Sequence, residues 1–196
     1  MIIGVTGQIG AGKSTASAIL GSFGATVIDA DEIGHQVVRD SAPLRKKLAA
    51  AFGADIFDAR GRLKRKLVAR RAFASIAGRD TLNHIVHPYL LRELRKRVRA
   101  ASHKGHVVID AALLLQWGME REVDLVLVIH AGWETRLQRA MHRGMTRDDV
   151  IARQRAQLPF SEFRRKADRL ILSNGTHADL RRKLAAFWKR HLLESD

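Results

Sequence analysis

The chain has 196 residues, 46% of them apolar and none of them cysteine, which excludes a disordered polymer, a disulfide scaffold, thiolate catalysis and cysteine-ligated zinc. Its 35 basic residues against 20 acidic ones give a net charge of +15, and such an excess asks for an anionic partner: nucleic acid, an acidic membrane surface or a polyphosphate substrate. No run of about 18 apolar residues spans a bilayer, and the first residues lack the charged-then-apolar order of a secretory signal, so a cytoplasmic protein without a membrane span is expected.

In chain order, Met1–Thr6 is a short apolar run that reads as a buried strand. Gly7–Lys13 is a glycine-rich turn, and a helix opens at Lys13, with Ala16, Ile19, Leu20 and Phe23 on one face and Gly24 ending it. Thr26–Asp29, His106–Asp110, Asp124–Ile129 and Asp168–Leu172 read as four further strands, the third of these apolar enough to lie inside the sheet. Helical pattern fills each gap, so the expected fold is α/β with five parallel strands between helices, as in P-loop NTPases. The stretch 32–103 is too long for one crossover and predicts a helical insertion, with helices over Leu63–Ala74 and around Leu90, Leu91, Leu94, Val98 and Ala101. Residues 136–166 are polar and arginine-rich, suiting a lid, and a last helix places Leu180, Leu184, Phe187, Trp188 and Leu192 on one face. The organisation is therefore a single domain: a core of about 1–31, 104–135 and 167–196, with the insertion and lid between them. A monomer is the default, since no heptad pattern is present.

Gly7-Gln8-Ile9-Gly10-Ala11-Gly12-Lys13-Ser14 matches G-x-x-x-x-G-K-[ST] in full, and Thr15 follows. Glycines let such a loop turn successive N–H groups toward phosphate oxygens, and the helix N-terminus adds its dipole. Gly10, Ala11, Gly12, Lys13, Ser14 and Thr15 are thus candidate nucleotide ligands; Lys13 reaches the β- and γ-phosphates, and Ser14 offers a hydroxyl to Mg²⁺. The competing possibility is a chance glycine turn, which the flanking strand and amphipathic helix argue against. The Asn-Lys-x-Asp motif by which GTPases read their base is absent from the sequence. Asp110, ending an apolar strand, is either a second metal ligand or a strand-end cap.

Asp29 and Asp31 leave the carboxyl end of the second strand, where open parallel sheets bind ligands. Strand alternation would point them the same way, and one can hold an acceptor hydroxyl and take its proton. The alternative is that Asp31 only N-caps a helix starting at Glu32. Arg136, Arg139, Arg143 and Arg147 recur at spacings of three and four and are expected on one side of one helix, where guanidinium groups can cover a transferring phosphoryl. Seven basic residues in Arg60–Arg71 read instead as a solvated face. These features allow a small-molecule kinase or a nucleic-acid-binding ATPase. Aromatics at 6% and no recognisable nucleic-acid motif weigh against the second.

The opening Gly4–Thr15, then Val27-Ile28-Asp29-Ala30-Asp31, Gly61 with Leu63 and Arg65, Leu82-Asn83, His87-Pro88, Arg139, Arg143, Arg153 with Gln157, Ala167-Asp168 and Asn174-Gly175 together resemble the dephospho-coenzyme A kinase family. The resemblance runs over nearly the whole chain. It implies transfer of the γ-phosphoryl of ATP to the ribose 3′-hydroxyl of dephospho-coenzyme A, with Mg²⁺ and without a specific nucleic-acid partner. It also implies a core, a helical acceptor-binding insertion and a lid. Under it Asp31 is the base, and Lys13 and Arg139 stabilise phosphoryl charge. Arg143 belongs to the ATP site, Asn174 lies near the adenine, and Arg65 and His87 belong to the acceptor side. The other possibility for His87 is a histidine fixing a turn before Pro88. Where the family commonly has Pro-Leu-Leu-x-Glu, this chain has Ala112-Leu113-Leu114-Leu115-Gln116, which puts any contact from position 116 in doubt.

Overall fold

The computed structural model describes residues 1–72 and 74–193. They form two compact units, one of Met1–Asp29 with the chain from Val98 onward, the other of Ala30–Arg97.

The first unit is built on the strands β1 (Ile2–Thr6), β2 (Thr26–Asp29), β3 (Val107–Asp110), β4 (Leu125–His130) and β5 (Arg169–Leu172). All neighbours pair in parallel, in the order β2-β3-β1-β4-β5. The expected five-stranded parallel sheet is therefore present, with each strand within one residue of its expected span. β1 is central, and the consecutive strands β3 and β4 lie on opposite sides of it, so the crevice beyond its carboxyl end is where a ligand fits. Helix α1 (Lys13–Ser22) and helix α9 (His177–Trp188) bury Ala16, Ile19, Leu20, Leu180, Leu184, Phe187 and Trp188 against Ile3, Val5, Leu127 and Ile129. A fully buried Leu or Ile contributes about 1.5–3 kcal/mol, so this layer is a large contributor to the unit's stability. A capping box of Thr176 and Asp179 opens α9. The side chain of Leu192, expected on the same face, lies outside the described residues.

The arginine-rich stretch forms α6 (Trp133–His142), α7 (Arg147–Ala156) and α8 (Phe160–Lys166). Leu137, Ala140 and Val150 bury together with Ile9 and Trp133 against them. Arg136 and Arg139 lie in α6, Arg143 caps its carboxyl end, and Arg147 opens α7. The expected single row is thus broken: Gly144 turns the chain at φ 85°, and Thr146 N-caps the next helix.

The second unit contains α2 (Ala30–Asp40), α3 (Ala42–Phe52), α4 (Arg65–Ala72) and most of α5 (Ile76–Ser102). Leu44, Leu48, Phe52, Ile56 and Val68 form its own core, with Leu82, Ile85 and Tyr89 packed on it. Ser41 caps α3 by accepting from the Leu44 amide at 3.3 Å. The helix expected over Leu63–Ala74 is shorter, because Leu63 pairs with Phe57 as a bridge and Ala74 is in a turn; Phe73 lies outside the described residues. Two further expectations need correction. α2 begins at Ala30, which puts Asp31 in its first turn rather than at a cap before Glu32, and strand alternation does not relate it to Asp29. No turn precedes Pro88 either, since α5 runs through it without interruption.

Candidate active site

The loop from Gly7 to Gly12 joins β1 to α1, and its first two glycines are required by space as well as by torsion. Gly7, Gly10 and Gly12 have φ of 150°, 75° and 91°. A Cβ at Gly7 would stand 2.2 Å from the Ile129 carbonyl oxygen, and one at Gly10 would stand 2.2 Å from that of Arg136. Gly12 caps α1 without any side-chain hydrogen bond, and no acidic residue occupies the first turn. The opening amides of α1 therefore keep their donors for an external anion, reinforced by the helix dipole.

Lys13 Nζ lies 3.9 Å from Asp110 Oδ1 at the carboxyl end of β3. Burial pushes the Asp110 carboxyl above the usual range; Lys13 opposes this, Asp29 adds to it, and the Ser14 and Ser17 hydroxyls oppose it. Asp29 stands beside Asp110 in the strand register. Ser17 Oγ is buried and makes no hydrogen bond within ordinary reach. Two carboxylates, a serine hydroxyl and a spare buried oxygen are oxygen ligands of the kind a hard divalent cation takes when phosphates and waters complete its shell. Asp110 is 7% exposed and lies beside Lys13.

On the other side of the loop, Ser173 connects three elements. Its hydroxyl donates to the Ala11 carbonyl at 2.6 Å, and its amide donates to that of His130 at 2.8 Å. Its own oxygens accept from Arg139, at Oγ from Nη1 at 3.3 Å and at the carbonyl from Nη2 at 2.6 Å. The guanidinium is thereby fixed beside Gly12, where a Cβ would meet Arg139 Nη1 at 3.6 Å. A cavity of about 490 Å³ opens here, lined by Gly12, Thr15, Arg139, Arg143, Ser173 and Thr176 among others. Its volume suits a small-molecule ligand of nucleotide size.

A model of the dephospho-CoA kinase family matches residues 1–179. The chain is 37% identical over 194 residues to the dephospho-CoA kinase of Frankia casuarinae, covering 99% of this chain and 85% of that one. The chain belongs to the dephospho-CoA kinase family. The corresponding protein of Corynebacterium glutamicum is 39% identical over 181 residues, 91% of this chain and 90% of that one. The crystal structure of TT1252 from Thermus thermophilus superposes with a TM-score of 0.81 at 33% identity, covering 97% of both chains.

Gly12, Lys13, Ser14, Thr15, Asp110, Arg139 and Arg143 gather at one end of the sheet, around the glycine loop and the cavity. Asn174 stands next to the cavity, but its Oδ1 accepts from the Gly132 amide at 2.8 Å and so holds the start of α6. Asp31, Arg65 and His87 belong to the second unit, in the first turns of α2 and α4 and inside α5. Burial, and then His84, pull the His87 value below that of an ordinary histidine. Gln116 is exposed beyond the buried pair Leu114 and Leu115, and Leu114 fills the space a Cβ at Gly4 would need.

Sequence reasoning missed Ser173 and Ser17, whose small hydroxyls carry no spacing signal, and passed over Gln154. It noted Gln157 only as a point of resemblance, yet this side chain accepts from the Ile9 amide at 2.8 Å and so bonds directly to the glycine loop.

Proposed function

We propose that this protein transfers the γ-phosphoryl group of ATP to the ribose 3′-hydroxyl of dephospho-CoA, giving CoA and ADP. Support comes first from the uncapped, carboxylate-free N-terminus of α1 beside the Lys13–Asp110 pair, an arrangement suited to a polyphosphate and its cation. Family membership supplies the acceptor. In this reading the amides of the glycine loop and of the first turn of α1 hold the β- and γ-phosphates, and Lys13 adds a fixed charge between them. Ser14 and Asp110 would hold Mg²⁺, which when bound neutralises charge on the phosphate oxygens. Arg139, fixed by Ser173, faces the charge that develops on the transferring group.

The acceptor oxygen forms a bond to the γ-phosphorus while the bond from that phosphorus to the β–γ bridging oxygen breaks. The electron pair of the broken bond leaves with ADP. Asp31 orients the 3′-hydroxyl and takes its proton late, as a loose transition state requires. Arg65 and His87 bind the acceptor in the helical insertion, residues 32–103, and 136–166 act as the lid. The working assembly is a cytoplasmic monomer.

A coupled ADP-release assay with a panel of acceptors tests this reading. The expected result is Mg²⁺-dependent turnover that requires dephospho-CoA and is indifferent to DNA and RNA. Stimulation by nucleic acid with no acceptor dependence would overturn it.

A further inference from the structure

Arg136 is 4% exposed, and none of the described residues offers it a carboxylate. Arginine keeps its charge under all ordinary conditions, so this is a buried cation with no counter-ion among the described residues. Burial alone lowers its value. Its Nε and Nη1 donors are spent on neutral oxygens. Nε donates to the Ala131 carbonyl at 3.0 Å, while Nη1 donates to Gln154 Oε1 at 3.0 Å and to the Ile9 carbonyl at 3.4 Å. The guanidinium carbon lies 5.4 Å from the centre of the Trp133 ring, which closes one side.

Ile9 is the residue just before Gly10 in the phosphate loop, and both of its backbone polar groups are held by lid side chains. The carbonyl accepts from Arg136, and the amide donates to Gln157 Oε1 at 2.8 Å. The backbone of Arg136 also closes on Gly10, leaving no room there for a Cβ. A peptide held from both ends fixes the turn that aims the following amides. A buried charge beneath that turn acts through a low local dielectric, where water does little to screen it.

We infer that Arg136 is a positioning residue of the phosphate site: from beneath the glycine loop it orients the Ile9 peptide and supplies a fixed positive charge whose counter-ion is the bound polyphosphate. This rests on the reading of the glycine loop as the ATP site. Arg136 is not among the residues that line the cavity, so its role differs from that of Arg139 and Arg143, which do. The inference also separates Arg136 from the exposed basic residues, which solvent and salt screen.

The test compares wild type with Arg136→Gln and Arg136→Lys, measuring the affinity of full-length protein for inorganic tripolyphosphate and for adenosine, together with melting temperature. Arg136→Gln should weaken tripolyphosphate on the order of tenfold, as expected for losing one poorly screened charge near a polyanion, and leave adenosine unchanged. Arg136→Lys keeps the charge and loses the fork, so its tripolyphosphate affinity should stay within about threefold of wild type. A purely structural role would lower the melting temperature of both variants and leave the ratio of the two affinities where it was; that outcome overturns the inference. Should Arg136→Gln fail to fold, Gln154→Glu decides, since it places a carboxylate against the Arg136 guanidinium and neutralises it in place: a loss on the order of tenfold for tripolyphosphate alone supports the charge assignment, and an unchanged ratio sinks it. Wild-type protein that binds no tripolyphosphate would remove the kinase reading as well, which the variants alone cannot do.

Discussion

Lys13, Asp110, Arg139 and Asp31 each carry a separable consequence. Lys13→Ala removes the fixed charge beside the phosphates and should abolish most turnover while the fold, measured by circular dichroism, is kept. Ser173→Ala should act like a mild form of Arg139→Ala, lowering kcat more than it raises the KM for ATP, since both affect charge that grows in the transition state. Asp110 gives a pH signature. Its folded value is raised by burial, so its contribution to stability is present at low pH and is lost as pH rises through that raised value. Asp110→Asn should therefore melt at or above wild type near neutrality, with the gap closing as pH falls through the carboxylate range, yet lose turnover. Melting below wild type at neutral pH would show that Lys13 outweighs burial. Asp31→Asn should lose on the order of 10²–10⁴ in turnover. In the first turn of α2 the lost charge costs only about 0.3–1 kcal/mol against the helix dipole, so stability should barely change. The glycines, Lys13 and Ser14 were legible from sequence because their spacing is dictated by phosphate geometry. Ser173 was not, because one serine at a strand end looks like any other until β4, the glycine loop and α6 are seen to converge on it.

Among the elements, the strands were readable to within a residue because both faces of a parallel sheet are buried and each strand is a short apolar run. Helix boundaries were less so. α2 starts two residues before Glu32, since tertiary packing buries Ala30 and Ile33 and draws the first turn forward. The arginine row was read as continuous because spacing alone does not register the break at Gly144, although Gly144 and Thr146 together form a stop and a restart. Pro88 taught the opposite lesson: a proline in α5 did not end the helix, because the packing of Leu82, Ile85, Val86 and Tyr89 on the second core carries the chain through it. The proline still removes a helical donor, so Pro88→Ala should raise the free energy of unfolding by about 1–3 kcal/mol on helix propensity, and the midpoint with it. A lowered midpoint would mean that the proline ring itself contributes packing that outweighs its cost to the helix.

The whole molecule carries +15, and its fold gives part of that charge a use. Both proposed substrates are polyanions, and a basic surface steers them at a rate that salt reduces. kcat/KM for dephospho-CoA should fall as ionic strength rises from low to physiological, with kcat nearly constant; a flat profile would leave the surface charge without a kinetic role. Family membership could be read from the order of the motifs along the chain, whereas the charge allowed several classes of partner. The measurement that tests the central claim most directly follows the phosphoryl group itself. With ATP labelled at the γ-phosphorus, label should appear on dephospho-CoA as a 3′-phosphomonoester, in step with ADP release. An analogue lacking the ribose 3′-hydroxyl should bind and acquire none. Label in inorganic phosphate alone, or on the 3′-deoxy analogue, would contradict the account.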